Sequence, residues 1–560
     1  MNDIFCEFQY LLSISFNMNK LILSVGFIFL SLFLFAQKDT TKIQTIDITS
    51  AFRPVLRNAV KINFYGSQLQ ADTNRSVLSY NIPQQNLFYA YQPITLKPLA
   101  LAQDTNLYLG DRNFVKLGYG NYKTPYLSAG LGLGDGKKGL LNLYVDYIGS
   151  KGKQIEHQDY ALMNLKAAGS LFTPKNEVYG SVSISSSDYN LYGYDHNVYS
   201  YDKKDVQQKL KEGELMIGIK NRVENELGIN YNPSLKINGF SNKERAKETT
   251  VSLNAPVSYK INEALSVSAT LKADFTRYNA DDNTGGYKLK NSLFQLAPAL
   301  DYNNEFIKAH VGITPVWNND KFDFLPDVYA EAKFGENVFV VQGGLIGRYI
   351  LNTYRHLSSV NSYLLSINDY NNTKEIELYG GIKATMGKHF SFSAKAGASK
   401  FTNLPLFIND TALDEKGFYV SNESKLNNFK IHGDLSYIMQ EKFTVTAGLT
   451  FNGYTGLKNN DKAWHTVPLE LNGSLRWWAI KKLLLKADFI MFRGIKFVNL
   501  AGNSQELDAG KDLSIGAEYK INKQFSAWVN ANNLFNDKYQ RWHRYNVYGT
   551  NVVGGIIFHF

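Results

Sequence analysis

The chain has 560 residues, a formal net charge of +10 and a mean hydropathy of −0.27. A helical membrane protein is excluded, because each span needs a run of about 20 apolar residues. The basic excess is never gathered into a run of five or more, which argues against nucleic acid as a partner, and the single cysteine, Cys6, leaves the body of the chain without disulfide or thiolate chemistry.

In chain order, Met18-Asn-Lys20 is followed by an apolar run from Leu21 through Phe35, then Ala36 and Gln37. A basic start, an apolar core and a small residue at the break read as a secretory signal over 18–36, cleaved after Ala36. Residues 1–17 then read as a misassigned upstream start, and Cys6 lies in that discarded stretch. Residues 37–112 form a short N-terminal segment cut into extended pieces by Pro83, Pro93 and Pro98. Within it, 45–49 is a β-like run that fits an ordinary extended or plug strand, or an edge strand offered to a periplasmic partner.

From 113 to 560 the pattern is period-2 alternation. Leu265, Val267, Ala269, Leu271, Ala273 and Phe275 share one face, and Ser266, Ser268, Thr270, Lys272 and Asp274 share the other. Stretches 376–386, 390–399 and 443–452 repeat it, with lysines, aspartates and glutamates on the polar face. Such strands suit a wall with lipid outside and water inside. The 36 tyrosines and 35 phenylalanines supply the rings that membrane interfaces favour. Short turns at 173–176, 221–225, 261–263, 303–305, 335–337, 387–389, 440–442, 480–482 and 521–523 alternate with longer segments, among them 187–209, 276–289, 350–372, 402–425, 493–509 and 536–547. Short turns on one side and long loops on the other predict an all-β chain: a transmembrane antiparallel β-barrel of about 22 strands, with both termini in the periplasm of a Gram-negative cell. The last strand carries Val552, Gly554, Ile556, Phe558 and Phe560 on one face and Asn551 and His559 on the other. Phe558 and Phe560 are the expected membrane-insertion signal, read by the barrel-assembly machinery.

The closing segment resembles the C-terminus of TonB-dependent outer-membrane receptors: Asn533-Leu-Phe-Asn536 ends the penultimate strand, and Gly-Gly-Ile-Ile-Phe-His-Phe560 ends the chain. The resemblance covers 113–560 in general form and the last 40 residues closely. It implies a cell outer-membrane location and uptake of a solute through the barrel, with TonB as a partner. The chain departs from the family in that 37–112 is about half the length of a full plug, so the resemblance is to a reduced-plug or plugless relative. At strand spacings of about 4.8 Å and tilts of about 40°, 22 strands enclose a lumen roughly 40–45 Å across. Either 37–112 fills it with help from loops such as 350–372 and 402–425, or an unidentified plug or lipoprotein partner does. The alternative function is accordingly a structural or assembly barrel of a surface or secretion complex.

Candidate ligand contacts are Tyr189, Tyr192, Tyr194, Tyr199 and Tyr201, five rings that a planar ligand or glycan could stack on, although barrel rims are tyrosine-rich in any case. Trp477, Trp478 and Trp542 read as interfacial anchors by the same reasoning. The histidines show no metal-binding spacing, no nucleophile is joined to a base by a motif, and neither an enzyme nor a cofactor is expected. Gly130-Leu-Gly-Leu-Gly134 reads as strand, not as a phosphate cradle. The remaining partners are outer-membrane lipid and lipopolysaccharide, which the basic loops would face.

Overall fold

The computed structural model describes residues 113–560, apart from 154, 224, 226, 244–245, 281–285, 335–338, 388, 413 and 440–441. The leader at 18–36, the stretch 1–17 and the segment 37–112 lie outside the described residues.

One antiparallel sheet of 23 strand segments closes on itself, with Phe114–Gly120 pairing both to Thr124–Gly134 and to the last strand, Asn551–His559. Two segments, Ile229–Tyr231 and Ser234–Ser241, are parts of a single stave, since both pair with Lys247–Lys260. Pro233 interrupts it because proline has no N–H to give the ladder. The wall therefore has 22 staves, each paired to the next in sequence.

The alternation becomes two surfaces. Val182 and Ile184, Leu215 and Ile217, Val311 and Ile313, and Phe322 and Phe324 face outward and are exposed, which is favourable only against lipid. The opposite faces turn their charges inward, where they pair. Lys395 Nζ lies 3.0 Å from Glu377, and Lys383 lies 2.8 Å from Glu331. Arg476 reaches both carboxylate oxygens of Asp488, at 2.8 and 3.1 Å. A charge removed from water stays tolerable only when it is paired in this way.

The short connections lie at one end of the wall and the long ones at the other. The turns at 335–338 and 440–441 fall outside the described residues, but the strands flanking each pair with one another. Two of the long segments are shorter than alternation suggests. Strands Asn176–Asn190 and Gln207–Asn221 reduce 187–209 to a loop at 191–206, and Leu265–Ala280 with Tyr287–Asn303 reduces 276–289 to six residues. Backbone pairing continues past the point where the side-chain period fades, because an unpaired N–H or C=O is costly wherever the chain is covered.

Staves are shortest at the seam. Phe114–Gly120 meets the last strand over seven residue pairs, and Gly510–Lys520 meets Phe525–Asn532 over six, against sixteen between Leu265–Ala280 and Tyr287–Asn303. The last strand points Val552, Ile556 and Phe560 outward, as expected, with Asn551 and His559 buried on the inner face. That inner face also holds Val553 and Ile557, which pack with Phe114 and Trp528. This corrects the expectation of a polar lining there: the indole of Trp528 lies across the seam and needs apolar neighbours.

Candidate functional site

Loops from hairpins spread around the ring converge over the long-loop end. Each is held first by its own local chemistry. Thr353 caps the short helix Tyr354–Val360 by accepting from His356 N. Inward-facing Glu248, on a different stave, accepts from Tyr354 N at 2.6 Å and Arg355 N at 3.0 Å, drawing that loop across the mouth. Leu404–Asn409 and Phe418–Glu423 form a hairpin that belongs to the loop and not to the wall. Its last residue, Glu423, accepts from three consecutive backbone N–H groups of another loop: Lys458 at 2.8 Å, Asn459 at 3.0 Å and Asn460 at 2.9 Å. Burial alone would raise its carboxyl, yet these donors together hold it below the usual carboxylate value. Replacing Glu423 with Ala leaves those donors without an acceptor, which costs about 1–3 kcal/mol locally. Amide exchange at 458–460 is expected to accelerate while exchange in the wall stays unchanged.

Aromatic rings then lock the loops together. Tyr363 and Tyr545, from loops 351–372 and 533–550, stack with their planes 24° apart, and Tyr192 sets its edge against Tyr545 at 4.9 Å. Trp542 meets Phe407 and Phe418, each at 5.4 Å, and His465 at 5.3 Å. The phenols also donate: Tyr189 to Ser362 O, Tyr192 to Asn546 O and Tyr545 to Lys416 O. Burial pushes Tyr192, Tyr363 and Tyr545 up, so all three stay protonated at any physiological pH, and Tyr192 and Tyr545 remain donors. Glu415 joins the same junction, 3.3 Å from His543 Nε2 and 2.7 Å from Arg544 Nε. Desolvation works against the charged form of Glu415, but hydrogen bonds from His543 and Arg544 hold it below the ordinary range.

The five tyrosines singled out in the sequence have two fates. Tyr189, Tyr192 and Tyr194 are buried among the loops, and Tyr201 is engaged with Asp414. Tyr199 is exposed, at 39%. Trp477 is exposed on the outer wall, as an interfacial anchor would be. Trp542 is not an anchor. It is buried in the loop core, a correction whose cause is the convergence of Phe407, Phe418 and His465 on its ring. Sequence reading missed Phe418, Glu248, Glu423 and His465, because their partners lie in distant loops. Among the described residues no group of three or more His, Cys, Asp or Glu side chains could hold a metal ion. The arrangement is a structural cap of interlocked loops at one mouth of the wall.

No family model matches the sequence, and no curated protein matches it. Solved structures do match in fold. The FrpB iron transporter of Neisseria meningitidis (F5-1 variant) aligns with a TM-score of 0.63 at 9% identity, over 82% of this chain and 84% of that one. The siderophore receptor PirA of Acinetobacter baumannii gives 0.60 at 11%, over 80% of each chain. FpvA of Pseudomonas aeruginosa, bound to heterologous pyoverdines, gives 0.60 at 13%, over 80% of this chain and 72% of the other. The chain thus has the barrel fold of outer-membrane iron and siderophore receptors, the fold that its resemblance to TonB-dependent receptors implied.

Proposed function

We propose that the chain takes up a solute across the outer membrane, with the long-loop end outside and both termini in the periplasm. The observation that carries this reading is the closed 22-stave wall whose loops interlock over one mouth. A wide lumen with a removable cover is what a gated importer of bulky solutes requires, since 22-stranded barrels are too wide to be left open. The neighbours in fold are receptors for iron complexes, so ferric siderophores are the first solutes to try. The segment 37–112 is the internal plug in this reading, and 45–49 is where TonB would engage it.

Single-channel conductance of the mature protein in a planar bilayer, with and without 37–112, tests the gate. A closed full-length protein that opens on deletion supports gated transport. Large, steady conductance from both would sink it. Deleting 38–50 alone should abolish uptake while leaving the barrel folded, and surviving uptake would exclude coupling through that segment.

A second reading, a structural barrel with a partner in its lumen, is favoured by one observation. Three of the five candidate ligand tyrosines, Tyr189, Tyr192 and Tyr201, are spent on hydrogen bonds to other loops. A stoichiometric partner that co-purifies in mild detergent would decide for it.

A further inference from the structure

Three connections meet where the barrel closes. Asn121, in the turn 121–123, donates to Thr550 O at 2.9 Å and accepts from Val552 N at 3.0 Å. Lys151 N donates to Tyr122 O at 2.8 Å, which fixes loop 151–159 beside the same turn. Between that loop and 538–549 opens a cleft of about 130 Å³. Its floor is the stacked pair Tyr122 and Tyr548, 5.2 Å apart, and Lys153 and Lys538 stand on its walls.

Lys153 and Lys538 thus line the cleft from two connections, and Lys123 and Lys151 belong to the turn and the loop joined beside it. All four are exposed, and none makes an ion pair or side-chain hydrogen bond with a described residue. The acids nearby are Asp159, already taken by Lys203, Glu156, which lies 3.6 Å from His157, and Asp537, next to Lys538. The balance at the cleft stays basic. Two unpaired cations on the walls of one cleft are an arrangement that an anion would stabilise.

Below these lysines the wall presents exposed apolar side chains. Tyr119 (64% exposed) is the last outward residue before the turn, and Val552 follows it on the neighbouring stave. Leu534 and Phe535 lie just before Asn536, whose Oδ1 packs against Gly549 at the cleft. An apolar shelf under a cluster of lysines matches a lipid, whose chains lie on the wall and whose phosphate sits at the rim.

We propose that this cleft binds the phosphate of an anionic lipid in the leaflet around the long-loop end, with the acyl chains against Tyr119, Val552 and Phe535. The choice of leaflet rests on the orientation given under the proposed function; the site itself does not.

The test uses the purified full chain in neutral detergent, titrated with lipid A, with the same lipid stripped of phosphate, and with inorganic phosphate. Lipid A is expected to bind and its dephosphorylated form to bind far more weakly. The double variant Lys153→Gln/Lys538→Gln should lose about 30-fold in affinity, whereas Lys458→Gln/Lys462→Gln, of equal charge change in another loop, should lose nothing. Heat-modifiable migration on gels confirms that each variant is folded. Equal binding of both lipids, or an unaffected Lys153/Lys538 variant, overturns the site. Displacement of lipid A by millimolar inorganic phosphate overturns the lipid as occupant and leaves a free-phosphate site. Orientation is read separately, by labelling Val198→Cys on whole cells with an impermeant maleimide. Failure to label with intact lipid binding would refute the outward orientation, not the cleft.

Discussion

A Gly555→Val chain should fail to close its barrel and should migrate as the unfolded form on gels without heating. At this position a Cβ would sit 1.9 Å from Leu117 O and 2.7 Å from the Gly118 Cα. Both obstacles are backbone, so no side chain can turn aside to relieve them. The space is needed because Trp528 reaches over the last strand to the first, where its Nε1–H donates to Leu117 O at 3.1 Å. Its ring would also collide with a Cβ at Gly118, and Lys116 Nζ lies 4.3 Å from the ring centroid. One indole thereby laces three staves at the seam, where the first and last strands meet over seven residue pairs. Trp528→Ala should cost about 3–5 kcal/mol, as large buried aromatics do. Trp528→Phe should recover part of that, since it keeps the apolar ring and loses only the donor. Wild-type melting of Gly555→Val would show that the seam has slack and that this account of closure is wrong.

Mild acid should loosen the loop cap, and His465 is the reason. Its Nδ1 lies 2.8 Å from Phe407 O, and its Nε2 lies 3.4 Å from His543 N. The first contact requires Nδ1 to carry a proton, and the second requires Nε2 to be bare. Burial, reinforced by the Arg541 and His543 charges, pushes the imidazole down to about 3. The folded pKa is thus below the unfolded value of about 6.5, so the open loop takes up the proton first. Stability from this group is complete above that value and is lost as pH falls toward the folded one. At pH 5 the loss is about 2 kcal/mol. Glu415 does not contribute in this window, because its carboxyl is held below the ordinary range and its share is lost only at lower pH. Amide exchange in 404–409, 456–468 and 533–550 should therefore rise between pH 7.5 and pH 5, with wall strands unaffected. His465→Asn keeps a donor for Phe407 O and cannot titrate, so its exchange should respond to this change much less than that of the wild type, with His356, which desolvation pushes down to about 4, left to titrate in the neighbouring loop. The same acid response in that variant would rule out His465 as the cause.

Much of this molecule is written in the local order of its residues. A stave between lipid and lumen must alternate, because successive side chains point to opposite faces. That is why Leu265 to Phe275 reads directly as wall, and why the count of staves and the sidedness of the turns follow from the sequence. The C-terminal strand is legible for the same reason, down to the outward placement of Val552, Ile556 and Phe560. Its inner Val553 and Ile557 are explained only by Trp528, a side chain on the neighbouring stave whose own hydrogen bond spans 411 residues. The cap was hidden altogether. Tyr192, Tyr363, Phe418, His465 and Trp542 come from five separate loops, and none of those loops has a period that says where it will fold. Trp542 looks like an interfacial anchor in isolation and becomes a core residue once two other loops reach it. Alternation records the solvent on each side of a strand, so the sequence alone determined the wall. Contacts between distant loops depend on where the closed wall holds their ends, so only the tertiary structure decided the seam lock, the cap and the lysine cleft.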